Sequence, residues 1–174
     1  MSQYFDAYSS RLSLCMMTYQ FIEYGLRFCL HRCHAAIKYR LDGHLHYEAP
    51  LKAIEDAALG RLVEWYKGFT TNQDLIKELR SIKAERDRIA HQGYVLTLEE
   101  QRDDSFLVRE SEKLAASHAK AKACLDALHK EMEHTDKVIN EVYASYRAQK
   151  QLQGEALAQK PTIEGTSDAP PSAS

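Results

Sequence analysis

Two stretches of this chain keep a heptad rhythm long enough to dictate rod-like helices. Phe5, Tyr8, Leu12, Cys15, Tyr19, Ile22, Leu26, Cys29, Cys33 and Ala36 follow one another in alternating steps of three and four, the spacing that lines one seam of a helix against a neighbouring helix. Leu107, Ser111, Leu114, His118, Ala121, Leu125, Leu128, Met132, Thr135, Ile139, Val142 and Tyr146 repeat the alternation without a slip. A strand repeats every two residues and cannot gather such a set on one face. Each stretch therefore predicts one helix, roughly 45–60 Å long for thirty to forty residues. Gly25 weakens the first only locally. With only 7 Gly and 4 Pro among 174 residues, sandwiches and barrels are disfavoured as well.

Two shorter helices lie between the long ones. Pro50 suits a first helical turn, and Leu51, Ile54, Ala58, Leu62, Trp65 and Tyr66 recur at helical spacing until Gly68. Asn72 is a good N-cap for a third helix carrying Leu75, Leu79, Ile82 and Ile89 before Gly93. Thr97 with Glu100 reads as a capping box that starts the last long helix, with Asp103-Asp104-Ser105 interrupting its first turns. The expected fold is all-α: an up-down four-helix bundle, two long outer helices around a short central helical hairpin. It occupies residues 1–150. From about Gln151 the pattern fades into Pro161, Pro170 and Pro171 with Gly, Ser and Thr, a disordered tail over 151–174.

The balance of 23 basic and 25 acidic residues excludes attachment to nucleic acid or membrane by bulk charge, so any polyanion contact is local. No apolar run reaches the length of a membrane span, and the first residues lack a basic, cleavable leader. The expected compartment is the cytoplasm, with Cys15, Cys29, Cys33 and Cys124 as reduced thiols.

The third helix contains the run Glu85-Arg86-Asp87-Arg88-Ile89-Ala90-His91-Gln92-Gly93-Tyr94. Arg86 takes the next position of the stripe Leu75, Leu79, Ile82, where an aliphatic side chain is expected. A guanidinium there needs a partner, either a carboxylate across the bundle such as Glu23 or a phosphate at a subunit interface. Asp87 and His91 are four apart and share a helical face, so Asp87 can orient the imidazole. An imidazole suits proton transfer, an adjacent arginine suits a phosphate, and RNA carries its own 2′-hydroxyl nucleophile. From Lys77 to Arg88 five cations stand against three carboxylates. Arg80, Lys83 and Arg88 are the substrate-binding candidates.

Arg86, four intervening residues beginning with polar Asp87, and His91 resemble the R-X4-6-H signature of the HEPN superfamily. The resemblance covers Leu51 to Tyr94, including the helix around Ala58-Leu59-Gly60-Arg61-Leu62-Val63. It implies a four-helix, usually dimeric domain in which two motif copies meet and cleave RNA without metal or other cofactor, leaving a 2′,3′-cyclic phosphate. It also implies roles: His91 as general acid/base, Arg86 on the scissile phosphate, Asp87 positioning both. Family settings include toxins restrained by an antitoxin and antiviral defence; other members are inactive scaffolds. A non-catalytic dimerisation or partner-binding module, with Arg86 and His91 structural, is the alternative.

Two further clusters stand out. Cys29, His31, Cys33 and His34, with His44 and His46 downstream, have partial metal-ligand spacing, but the two cysteines already belong to the seam and read as buried thiols, so no metal is assigned. Tyr4, Tyr8, Tyr19, Phe21, Tyr24 and Phe28 crowd one helix. Phe21, Tyr24 and Phe28 lie off the seam and call for a second partner surface, either the middle helices of the same chain or a second copy.

Overall fold

A computed structural model describes residues 3–158, with side chains as far as residue 152. They form five α-helices and one 3-10 turn, with no strand among the described residues. The long helices α1 (Gln3–Leu41) and α5 (Asp104–Ala158) are those predicted by the heptad seams. The 55 residues of α5 carry it over roughly 80 Å. α5 runs past the expected boundary at residue 150, and the remainder of the expected tail, 159–174, lies outside the described residues.

The two long helices run in the same direction. Near their starts Arg11 Nη1 donates to the Ser111 carbonyl (3.2 Å) and hydroxyl (3.0 Å). Near the end of α1, Arg32 Nε donates to Asp136 (3.0 Å), and just past it the Tyr146 hydroxyl donates to Asp42 (2.7 Å). The partners are separated in sequence by 100 residues at one end and 104 at the other, an offset that only a parallel pair can hold. Gly25 packs directly against α5, where a Cβ would come within 3.0 Å of Leu128 Cδ2. The residue that costs local helix propensity leaves room there for the Leu128 side chain.

The predicted helix from Leu51 to Gly68 is instead two, α2 (Leu51–Glu55) and α3 (Leu59–Tyr66), so the chain has five helices where four were expected. Ala58 is extended, with φ −75° and ψ 160°. The break leaves the Ala57 carbonyl free to accept a hydrogen bond from Arg27 Nη2 at 2.9 Å. It also turns the two segments so that Ile54, Ala57, Leu59, Leu62, Val63 and Tyr66 are buried, whereas Leu51 and Ala58 of the predicted apolar face are exposed.

α4 (Gln73–Gln92) begins as predicted, the Asn72 side chain accepting from the Leu75 N–H at 3.0 Å. It returns antiparallel along α3 and buries Leu75, Ile76, Leu79, Ile82 and Ile89. Gly93 follows it with right-handed φ (−60°), so the glycine is not serving a left-handed turn. A Cβ there would meet the Ile89 carbonyl and a Leu12 methyl, each at 2.6 Å. The Gly93 carbonyl accepts from the buried Tyr8 hydroxyl at 2.6 Å, tying the end of α4 to the start of α1.

The Thr97–Glu100 box forms, with Thr97 N–H donating to Glu100 Oε2 (2.7 Å) and Glu100 N–H to Thr97 Oγ1 (3.2 Å). It closes the turn that leads into the 3-10 segment Glu100–Arg102 and does not start α5. Asp103 Oδ1 accepts from the Ser105 and Phe106 N–H groups, both at 3.0 Å, so the acidic run starts α5 instead of interrupting it. Among the described residues no helix is long and apolar enough to cross a membrane.

Candidate functional site

Arg86 projects from α4 toward α1, where its Nη2 donates to Glu23 Oε1 at 2.5 Å and its Nη1 to Asp87 Oδ1 at 3.2 Å. The side chains of Arg86 and Glu23 are 21% and 10% exposed. The second Glu23 oxygen faces Arg27 Nη2 at 3.5 Å, and Arg27 continues to the Ala57 carbonyl. One carboxylate thus joins two guanidiniums and fixes α4, α1 and the α2–α3 break to each other. Of the two partners open to Arg86 in sequence, the structure supplies the carboxylate.

Three further cations of α4 are matched in the same way. Arg80 is bidentate on Glu64 (2.8 Å twice), Lys83 is 2.9 Å from Asp87 Oδ2, and Arg88 is bidentate on Glu85 (3.0 and 2.6 Å). Ser117 of α5 donates to the same Glu85 at 2.8 Å. Hydrogen bonds from Lys83 and then Arg86 hold the Asp87 carboxyl below its ordinary pKa, and those from Arg88 and Ser117 do so for Glu85. The local excess of positive charge is therefore largely spent inside the chain. Asp87 does not orient His91, contrary to the shared-face expectation, because Lys83 and Arg86 claim both of its oxygens. His91 is exposed in the last turn of α4 and makes no hydrogen bond or ion pair among the described residues.

On α1 the off-seam aromatics are uncovered. Tyr24 is 67% exposed, Phe21 54%, and Phe28 lies at the margin of exposure. Burial by the middle helices, one of the two expected explanations, does not occur. Leu14 and Met17 are half exposed in line with them, so Leu14, Met17, Phe21, Tyr24 and Phe28 make a second run of steps of three and four on the outer face. The sequence reading missed its first two members. Their signal was present: no charged residue stands between Arg11 and Glu23, and a helix apolar on all sides is one covered on all sides. Beside the stripe the Ser13 and Tyr94 hydroxyls are 3.2 Å apart, which brings the segment after His91 to its edge.

No family model matches the chain, and neither a curated protein nor a solved structure matches it significantly. The site stands on its own geometry.

The cysteine–histidine cluster disperses. Burial pushes the Cys29 thiol up to about 12 and the Cys33 thiol up to about 11, which disfavours the thiolate a metal needs. His31 Nε2 lies 3.1 Å from Glu55 Oε1, and His34 Nδ1 is hydrogen-bonded to the Tyr47 hydroxyl. Among the described residues no three His, Cys, Asp or Glu side chains are placed to share a metal.

Burial first, and the neighbouring His31 second, lower the His34 pKa below its ordinary 6.5. Folding therefore favours the neutral ring. Its contribution to stability is full above that ordinary value and is lost as pH falls through the lowered one. In thermal melts between pH 7.5 and 5, the wild type is expected to lose stability toward acid more steeply than His34→Phe. Equal slopes would refute this assignment.

Proposed function

We propose that this chain is a homodimerising helical module that joins a second copy of itself through the outer face of α1. The observation that carries this reading is the uncovered heptad stripe Leu14, Met17, Phe21, Tyr24 and Phe28. A stripe with that spacing is complementary to a helix bearing the same spacing, and a two-fold axis presents it to its own copy. The uncharged stretch from Leu12 to Ile22 removes the like-charge repulsion that two copies of a charged face would suffer. In this reading Glu23, Arg80, Lys83, Arg86, Asp87 and Arg88 fasten the fold. Sedimentation of the full chain is expected to give about twice the 19.9 kDa monomer mass. A monomer at high micromolar concentration would overturn the reading.

A second reading is favoured by His91. The one member of the HEPN-like trio without a side-chain partner among the described residues lies just before the segment that reaches the stripe, so a dimer across α1 would carry two copies of it along one seam. That supports a metal-independent endoribonuclease with His91 as acid/base, possessing RNA as substrate and open to restraint by an antitoxin. Because Arg86 is committed to Glu23 and Asp87, a phosphate would have to displace a buried carboxylate to reach it. Incubation of the dimer with RNA in EDTA is accordingly expected to leave the RNA intact. Cleavage that disappears in His91→Ala and follows a bell-shaped pH profile would establish the catalytic reading instead.

A further inference from the structure

We propose that the cleft between the last third of α1 and residues 46–53, which no residue of the α4 motif lines, binds a nucleotide: Lys38 and Lys52 hold its phosphate, and its base lies on a plate formed by His34 and Tyr47. The cleft measures about 980 Å³, at the upper end of the range for small-ligand sites. Its cations differ from those of α4. There, each of Arg80, Lys83, Arg86 and Arg88 meets an internal carboxylate; here, the Lys38 and Lys52 ammonium groups and the exposed His46 ring make no hydrogen bond or ion pair among the described residues. Lys38 feels the field of Asp42, but the Asp42 carboxylate is itself bound by the Tyr146 hydroxyl and by Lys150 at 3.0 Å. Glu48 is the one carboxylate on the wall, since Glu55 is turned to His31. Two free ammonium groups around one cleft suit a phosphate, for which lysine is a strong point-charge partner.

The ring pair supplies the second recognition element. The His34 and Tyr47 planes differ by 17° and their centroids are 6.1 Å apart. With the Tyr47 hydroxyl hydrogen-bonded to Nδ1 of His34, that spacing places the rings edge to edge as one nearly flat surface rather than stacked face to face. Phe69 packs against His34 at 70° and 5.1 Å and braces it. A flat aromatic surface beside free cations is what a nucleotide engages: stacking accepts any base, and the ammonium groups take the phosphate.

Calorimetric titration of the full chain with AMP, adenosine and inorganic phosphate tests this. AMP is expected to bind at least tenfold more tightly than either fragment. Lys38→Ala and Lys52→Ala should each weaken AMP about tenfold, the loss of one charge-assisted contact, with unchanged circular dichroism melts because both side chains are exposed. Tyr47→Ala should weaken AMP while leaving phosphate binding alone, which separates the base contact from the charge contact. The same chemistry occurs at the end of an RNA strand, so a 5′-phosphorylated single-stranded RNA is added as competitor: displacement of AMP identifies the strand as the source, and no displacement identifies the free nucleotide. The proposal is overturned if AMP fails to bind at millimolar concentration, or if the double lysine variant binds AMP as the wild type does.

Discussion

Glu23→Ala is expected to lower the melting temperature of the chain by roughly 4–16 °C. Removing one member of a buried ion pair strands its partner, at about 3–5 kcal/mol when burial is complete. Arg86 retains 21% of its side-chain exposure, which lowers the figure to about 2–4 kcal/mol, and in a protein of this size each kcal/mol moves the midpoint by about 2–4 °C. Glu23→Ala leaves two guanidiniums without their shared acceptor, so it should cost more than Arg86→Leu, which still leaves Glu23 facing Arg27. The double variant should cost less than the sum of the two by about 1 kcal/mol or more, because the second substitution removes the group the first had stranded. Strict additivity would show that the two side chains are not coupled, and single shifts within 1 °C would show that the cluster contributes nothing to the fold. The same series bears on catalysis, since an arginine whose replacement costs stability but no RNA-directed activity is a fastener.

Phe21→Asp is expected to convert the dimer to a monomer while leaving helix content unchanged. Phe21 is 54% exposed in the single chain and lies outside its core, so a carboxylate there is solvated in the monomer. In the dimer it would be buried without a counter-charge, and two-fold symmetry places two of them in one seam. The expected loss of self-affinity is at least about 100-fold, which corresponds to a little under 3 kcal/mol. Sedimentation should show the 19.9 kDa species for this variant and twice that mass for Lys122→Asp, an exposed position on α5 away from the stripe. A Phe21→Asp chain that still sediments as a dimer would move the interface elsewhere and remove the support for the proposed function. Far-UV circular dichroism guards against the trivial outcome of an unfolded variant.

What could be read in advance follows from the range of each interaction. The two heptad seams, the Asn72 cap and the stop at Gly93 were legible because side chains three and four apart share a helical face, and because caps act within one turn. The split between α2 and α3 was not. It depends on Arg27, thirty residues earlier, reaching the Ala57 carbonyl, and nothing in the sequence around Ala58 signals it. The capping box at Thr97 was recognised but assigned to the wrong element, since the pattern fixes a helical start and not how far the helix continues. The Arg86–Glu23 pair was among the possibilities, whereas Arg80–Glu64 and the claim of Lys83 on Asp87 were not, and these turned a segment read as cationic into a neutralised one.

By itself, then, the order of residues determined that this chain builds long helices with an apolar seam, because the period of the side chains is a local property of the backbone. Only the packed molecule decided that α1 and α5 run parallel, that Arg80, Lys83, Arg86 and Arg88 of α4 are already satisfied while Lys38 and Lys52 meet no partner among the described residues, and that one of the two apolar stripes of α1 is left without a cover. Those outcomes depend on which distant groups compete for the same space and the same charges, and that competition is settled when the helices come together.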